Sequence, residues 1–218
     1  MSRLLVAIAG GSASGKTTLA EAIRRLLEPM EVRLIREDEY YRDHGYDPAF
    51  DPLRYNFDDV TAHDHALMAK QLSSLKKGKA VDAPLYDFAT HSRKDETRRV
   101  QPADIIIVEG IHVLADPDLT PLYDLTVYVD APADVRLARR ILRDVRERGR
   151  SVESVVIQYL RSVRPSHLKF TEPGKAIADI VVTNDAAAAE PELEALRPSF
   201  NALAEPVAAR ISAMLKEG

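Results

Sequence analysis

The chain has 218 residues, of which 45% are hydrophobic and none is cysteine. This length suits one compact α/β domain over residues 1–218, and the lack of cysteine excludes disulfides and thiolate metal sites. The net charge of −4 argues against a nucleic-acid-binding surface, and no apolar run approaches the ~20 residues that a membrane span needs. We therefore expect a single-domain cytoplasmic protein that binds neither nucleic acid nor membranes.

Short apolar runs alternate with segments of helical period. Buried strands of a parallel sheet are expected at residues 4–9, 32–35, 105–108, 125–129 and 180–182. Helices are expected at residues 15–27, 60–76, 132–149 and 152–170, and from about Pro191 to the end of the chain. This order predicts an α/β fold with a doubly wound parallel sheet and right-handed crossovers.

Two stretches do not fit the alternation. Residues 38–59 are polar and rich in tyrosine, and so long a loop in a compact domain is usually functional. Residues 80–100 alternate weakly around Tyr86 and Phe88, which predicts a β-hairpin.

The spacing of apolar residues also predicts which faces of two helices point inward. In the helix over residues 60–76 these are Val60, Leu67, Leu72 and Leu75. In the helix over residues 132–149 the apolar stripe is Leu137, Ala138, Ile141, Leu142 and Val145. His63 and His65 have a metal-like spacing, but no other residue supports a site, and we place them on the helix surface.

A phosphate-binding loop follows the first strand. Residues 10–17 match the pattern G-x-x-x-x-G-K-[ST] in full. Glycines let backbone N–H groups point at phosphates at the positive end of the next helix, Lys16 reaches the β- and γ-phosphates, and the Thr17 hydroxyl ligates Mg²⁺. The expected ATP-binding residues are Gly10, Gly11, Ser12, Ala13, Ser14, Gly15, Lys16, Thr17 and Thr18. The loop alone does not choose between a kinase, a molecular switch and a mechanical ATPase.

Five further stretches favour one of these classes. They are residues 38–42 (Asp-Glu-Tyr-Tyr-Arg), residues 56–58 (Asn-Phe-Asp), residues 84–94 with Tyr86-Asp-Phe88 and His91, residues 108–111 (Val-Glu-Gly-Ile), and residues 140–150 with their arginines. In order and spacing, these stretches and the phosphate loop resemble the uridine kinase (uridine-cytidine kinase) family from about residue 4 to residue 183. The resemblance implies that ATP phosphorylates the ribose 5′-hydroxyl of uridine or cytidine in pyrimidine salvage, with Mg²⁺ as cofactor. It also implies a homotetramer.

Two carboxylates are candidates for the reaction centre. Asp38 lies just beyond the second strand, where ligands bind in such sheets, and the resemblance makes it the catalytic base and a metal ligand; otherwise it is a solvated acid in a turn. Glu109 ends a buried strand, where a carboxylate is costly unless it is paired or near a metal. The resemblance implies that Thr17, Asp38 and Glu109 form the Mg²⁺ site, whereas Glu109 could otherwise cap a helix.

The acceptor pocket is assigned through the resemblance. The hairpin over residues 80–100 is the expected acceptor module, and His91 is the residue that reads the base edge, because a neutral imidazole has one donor and one acceptor. The aromatic residues could otherwise belong to a satellite core, and His91 could be an exposed turn residue. The nucleoside-binding residues are Tyr41, Phe57, Asp58, Tyr86, Phe88, His91, Arg140, Arg150 and Gln158.

Arginines concentrate in the expected lid region, residues 132–150. Arg136, Arg140 and Arg143 fall on one stripe, which we place opposite the apolar stripe, and Arg148 and Arg150 flank Gly149. Such a cluster is either a solvated face or a lid that closes on phosphates. The resemblance places Arg143 and Arg148 at the phosphates as catalytic residues.

The chain departs from the family pattern at two places. After Asp58 the family has His-Pro-Asp-Ala-Phe-Asp, whereas residues 59–64 read Asp-Val-Thr-Ala-His-Asp. After Val182 the usual Pro-Arg-Gly-Gly is replaced by Thr183-Asn184-Asp185 and an alanine run, next to the expected adenine pocket, which leaves GTP open as a donor besides ATP.

Two other functions stay open on the sequence. Related P-loop kinases act on pantothenate, nicotinamide riboside or ribulose 5-phosphate and share the loop and an acid after the second strand. An ATP-driven switch would hydrolyse ATP without any acceptor.

Overall fold

A computed structural model describes residues 3–45, 47–52, 54–185 and 197–217, with side chains from residue 200 in the last segment. Its strands are β1 (Leu4–Gly10), β2 (Val32–Arg36), β3 (Val81–Asp87), β4 (Ser92–Val100), β5 (Ile105–Gly110), β6 (Leu125–Asp130) and β7 (Ile180–Thr183). Five of them form a parallel sheet in the order β2-β5-β1-β6-β7, and β3 pairs with β4 as an antiparallel hairpin. The predicted α/β class, parallel sheet and hairpin are confirmed.

Helices cover both faces of the sheet. They are α1 (Lys16–Leu26), α2 (His65–Lys76), α3 (Ala133–Arg148), α4 (Val152–Gln158), α5 (Arg164–Ser166) and α6 (Arg197–Glu217). Every residue of β1 and β5 is buried, as central strands between two helical layers require. Alternate β1 residues pack against α1 and α6 on one face and against α2 and the hairpin on the other.

The strand order brings three carboxyl ends together. In the sheet Ala9 of β1 lies beside Gly110 of β5, and Glu109 lies beside Arg36 of β2. The phosphate loop, the turn that follows β2 and the tip of β5 therefore meet at one edge, which is where ligands bind in open α/β sheets.

The predicted helix over residues 60–76 is divided. Residues Val60–Ala62 form a single 3₁₀ turn, and α2 begins only at His65, where the Asp64 side chain accepts a hydrogen bond from the N–H of Leu67. Val60 and Leu67 are only partly buried. The surface placement of the two histidines was wrong, because His63 and His65 are 1% and 5% exposed.

The predicted facing of α3 was also wrong. Gly149 ends the helix in the left-handed conformation as expected, with φ of 62°. However, Leu142 and Val145 are 47% and 37% exposed, whereas Arg136, Arg140 and Asp144 are buried. The polar stripe of α3 faces the phosphate loop, so the apolar stripe points outward.

The predicted helix over residues 152–170 continues to residue 176 in several forms. After α4, π-helical turns at Tyr159–Val163 and His167–Thr171 flank α5, and a 3₁₀ turn covers Glu172–Ala176. Pro165 in α5 has no N–H to donate, which interrupts the α-helical hydrogen bonds there. The alanine run and the expected helix start at Pro191 lie outside the described residues. No helix in the described part of the chain is long and apolar enough to cross a bilayer.

Candidate active site

The phosphate loop between β1 and α1 has the backbone geometry that its glycines predict. Gly15 precedes α1 with φ of 98°, and a side chain there would meet Asn184 and Phe200. The amide of Asn184 also donates a hydrogen bond to the carbonyl of Ser14 at 2.8 Å. Asn184 after β7 and Phe200 of α6 thus support the loop. Asn184 belongs to the second stretch that departs from the family pattern.

A lysine, a hydroxyl and two carboxylates meet at this edge of the sheet. Lys16 donates to the carbonyl of Gly11 at 3.0 Å, and the Thr17 hydroxyl donates to Oε1 of Glu109 at 2.9 Å. Burial lowers the pKa of Lys16, and Glu109 and Asp38 counteract this shift. Burial raises the pKa of Glu109, and Lys16 counteracts that shift. Each charge therefore makes the burial of the other less costly.

Asp38 lies in the 3₁₀ turn Glu37–Tyr40, directly after β2. Its side chain is exposed to an open cleft, and its charge raises the pKa of both Lys16 and Glu109. Thr17, Asp38 and Glu109 together offer a hydroxyl and two carboxylates, which are the hard oxygen donors that Mg²⁺ prefers. These residues fit the predicted magnesium site.

The cleft joins the phosphate loop to the other predicted site residues. It is lined by Ser12, Ala13, Gly15, Lys16, Thr17, Thr18, Asp38, Tyr41, Phe57, Asp58, Tyr86, Phe88, His91, Glu109, Arg140, Arg143, Arg148, Arg150 and Gln158, among others. Gly10, Gly11 and Ser14 belong to the same loop but do not line the cleft.

The predicted acceptor aromatics gather at one end of the cleft. The Tyr41 ring lies 5.2 Å from Tyr86 and 5.8 Å from Phe57, measured between ring centroids, and the Phe57 ring stacks on His91 at 4.8 Å. The Phe88 ring lies 5.2 Å from the Tyr86 ring, and Phe88 is 54% exposed. Residues from the loop over 38–59 and from the hairpin therefore form one aromatic pocket.

Asp58 stands beside this pocket and is 7% exposed. Burial raises the pKa of its carboxyl, and Arg140 counteracts the shift. The Ser162 hydroxyl donates a weak hydrogen bond to Oδ2 at 3.4 Å. The carboxylate thus has unused acceptor capacity on the cleft side.

Arg140 of α3 connects the phosphate loop to α4. It donates to the hydroxyl of Ser12 at 2.9 Å and to Oε1 of Gln158 at 3.0 Å. Arg150 donates to the same Gln158 oxygen. Of the predicted nucleoside-binding residues, Arg140 and Arg150 therefore both contact Gln158.

The arginines share one buried acid that our sequence analysis did not single out. Asp144 has no exposed surface, and its carboxylate lies 2.9 Å from Arg143, 3.4 Å from Arg148, 3.6 Å from Arg140 and 3.7 Å from Arg150. In the sequence, Asp144 lies four residues after Arg140 and four before Arg148, a spacing that places the acid next to both arginines on a helix.

Comparisons with known proteins identify the family. Residues 5–188 match the model of the phosphoribulokinase/uridine kinase family. A protein of Brevibacillus brevis named uridine kinase is 46% identical over 179 residues, which cover 82% of this chain and 84% of the relative. A protein of Clostridium botulinum strain Okra with the same name is 45% identical and is covered to 87%.

Two solved structures share the fold at low sequence identity. Phosphoribulokinase from Rhodobacter spheroides superposes with a TM-score of 0.62 at 16% identity, covering 84% of this chain and 70% of that chain. D-glycerate 3-kinase from Cryptococcus neoformans superposes with a TM-score of 0.60 at 16% identity, covering 79% of this chain and 80% of that chain.

Proposed function

Because the chain belongs to the phosphoribulokinase/uridine kinase family, we propose that it is a nucleoside kinase that phosphorylates uridine at the ribose 5′-hydroxyl. The donor is ATP and the product is UMP, as in pyrimidine salvage; cytidine is a second acceptor and gives CMP. The observation that carries this proposal is one cleft that is lined both by the phosphate loop and by an aromatic pocket. Relatives at about 45% identity named uridine kinase support it over the other acceptors.

The reaction needs positioned phosphates and neutralised charge more than covalent chemistry. The backbone of residues 10–15 holds the phosphates, and Lys16 compensates the charge that moves toward the β-phosphate. Thr17, Asp38 and Glu109 would hold Mg²⁺, which supplies further charge neutralisation when it is bound. Arg143 and Arg148 act from α3 as the catalytic arginines, since both are partly exposed to the cleft.

Asp38 acts as the general base. It is the exposed carboxylate at the carboxyl end of β2, between the phosphate loop and the aromatic pocket. There it can accept the proton of the attacking 5′-hydroxyl. Buried Glu109 is less suited to this role, because it already accepts a hydrogen bond from Thr17.

The acceptor side combines stacking with hydrogen bonds. Tyr41, Phe57, Tyr86 and Phe88 surround the pyrimidine, and His91 reads its edge. Asp58 accepts from the ribose hydroxyls, with Arg140 beside it. Gln158 and Arg150 complete the nucleoside site from α4 and the turn before it. To do so Gln158 leaves its present hydrogen bonds with Arg140 and Arg150.

The domain and assembly proposals rest on the family resemblance. The chain acts as one P-loop nucleoside kinase domain, with residues 80–100 as the acceptor hairpin and residues 132–150 as the lid region. It works in the cytoplasm as a homotetramer with a small-molecule partner, and ATP is preferred over GTP. Sedimentation velocity tests the tetramer.

The decisive experiment measures ADP release from Mg-ATP by the purified chain. The acceptors are uridine, cytidine, pantothenate, nicotinamide riboside and ribulose 5-phosphate, with a reaction that contains no acceptor as the control. We expect fast release with uridine and cytidine and slow release in every other reaction. Fast release with another acceptor would overturn the proposed substrate, and equal release without any acceptor would indicate a switch ATPase.

A further inference from the structure

A buried group of titratable side chains lies behind Asp38 and takes no part in the proposed reaction. Glu37 is 0% exposed at the end of β2, and His63 and His65 flank the residue that caps α2. One ligand atom from each of these three residues lies within 4.8 Å of the corresponding atoms of the other two.

His65 is held between two carboxylates. Its Nε2 lies 2.8 Å from Oε1 of Glu37, and its Nδ1 lies 3.1 Å from Oδ2 of Asp116. The backbone N–H of His112 donates to the second oxygen of Glu37 at 2.9 Å. A histidine whose far nitrogen binds a carboxylate is the arrangement that orients metal-ligating imidazoles in proteins.

His63 has no hydrogen bond to explain its burial. It is 1% exposed, and neither of its ring nitrogens has a partner in the part of the chain that the structure describes. Its ring packs against Tyr41 at 4.1 Å between centroids with a tilt of 30°, and it lies parallel to the ring of His65 at 5.6 Å. A buried polar group without a partner is destabilising, so a ligand other than the protein atoms would satisfy this imidazole.

We propose that Glu37, His63 and His65 bind one divalent transition-metal ion, with Zn²⁺ as the ion that two imidazoles and one carboxylate favour. The ion replaces the proton shared by Glu37 and His65 and takes one nitrogen of His63 as its third ligand. Asp116 and the N–H of His112 orient the ligands from outside. Three protein ligands leave one position of a tetrahedral ion for a water molecule.

The ion links two elements of the fold. Glu37 precedes Asp38, and His63 packs against Tyr41 of the aromatic pocket. The ion therefore ties the turn that carries Asp38 to the start of α2. The site is separate from the magnesium ligands Thr17, Asp38 and Glu109, and it does not depend on the proposed substrate.

The test is Zn²⁺ binding to the full chain, produced without a polyhistidine tag and stripped with a chelator. Excess Mg²⁺ keeps the oxygen ligands of the phosphate site occupied. We expect one Zn²⁺ per chain by calorimetry, a raised melting temperature, and visible absorption bands of four-coordinate Co²⁺ when that ion is used as the probe.

His63→Phe removes one ligand but keeps an aromatic ring against Tyr41. We expect it to weaken Zn²⁺ binding by ~10²-fold or more, and Asp116→Asn to weaken binding by about 10–100-fold. His44→Phe is the matched control, because His44 stacks on Phe50 outside the group, and it should bind Zn²⁺ like the wild type.

Without metal, His63→Phe should melt no lower than the wild type, since it removes an unpartnered polar group. If this variant does not fold, His65→Gln takes its place. Absence of stoichiometric Zn²⁺ binding, or equal binding by the ligand variants and the control, would refute the site.

Discussion

Asp144 accepts a hydrogen bond from Nε of its chain neighbour Arg143 at 2.9 Å, while having no exposed surface itself. Three more arginines lie within 3.7 Å of the same carboxylate. One buried acid thus holds together cations that would repel one another, and it does so on the face of α3 that meets the phosphate loop. The bound phosphates of ATP would compete for the same arginines.

We therefore predict that Asp144→Asn destabilises the protein by roughly 3 kcal/mol, because it removes the buried carboxylate that four arginines share. ATP should raise the melting temperature of this variant by more than it does for the wild type, since no internal carboxylate competes with the phosphates. The control is Glu147→Gln, an exposed acid of the same helix. Denaturant unfolding measures the loss of stability, and thermal melting with and without ATP measures the shift in melting temperature. A variant as stable as the control would contradict the prediction.

Asp38→Asn should lower kcat by ~10²–10⁴-fold, the usual loss for a missing general base. The melting temperature should hardly change, because the side chain is exposed, and nucleotide binding should weaken only modestly. Glu39→Gln alters the next acid in the chain, which pairs with Arg98 instead, and should keep most of the turnover. Near-full activity in Asp38→Asn would remove it from the mechanism.

Arg143→Ala and Arg148→Ala should each lower turnover far more than they lower stability. Their side chains are 32% and 45% exposed, so little packing is lost, while charge stabilisation of the transferring phosphoryl group is lost entirely. Arg24→Ala, on α1 with a similarly exposed side chain, is the control. A sharp fall in melting temperature with kcat unchanged would make the two arginines structural.

Ribose selection should depend on Asp58. A buried carboxylate that donates nothing must receive the 2′- and 3′-hydroxyl protons, and such sites discriminate by up to ~10⁴–10⁵ against an acceptor that lacks one. We expect a high kcat/KM for cytidine, a low one for deoxycytidine, and a smaller ratio between them in Asp58→Asn. Similar wild-type values for both acceptors would refute ribose selection. If strong selection survives in Asp58→Asn, another residue makes the contact.

The same substitution should make the ligand-free protein more stable at neutral pH. Burial raises the pKa of Asp58 above its ordinary value of 3.8, so the folded state binds the proton more tightly than the unfolded state does. As the pH rises from the pKa of the unfolded state to that of the folded state, the free energy of unfolding therefore falls. At higher pH the buried carboxylate is charged and destabilises the folded protein. The free energy of unfolding of Asp58→Asn should exceed that of the wild type at pH 7, and the difference should vanish below pH 3.8. The opposite sign at pH 7 would show that the contacts of Asp58 outweigh its burial.

Much of this protein follows from its sequence. The apolar runs at β1 and β5 predict a buried parallel sheet, because only strands covered on both faces carry no polar residues. The phosphate loop is equally local, since its spacing, its glycines and Lys16 suffice to bind phosphate. Among the site residues, Asp38 and Glu109 could be placed because the carboxyl ends of parallel strands meet at one edge.

Only the tertiary structure decided which faces point inward. Periodicity assigned the apolar stripe of α3 to the interior, yet Leu142 is exposed and Arg140 is buried, because this helix meets a polar cleft whose cations Asp144 neutralises. His65 looked like a surface residue because its partners, Glu37 and Asp116, are distant in the chain. A one-dimensional pattern records spacing along one element, whereas the cost of burying a charge depends on what the neighbouring elements bring to it.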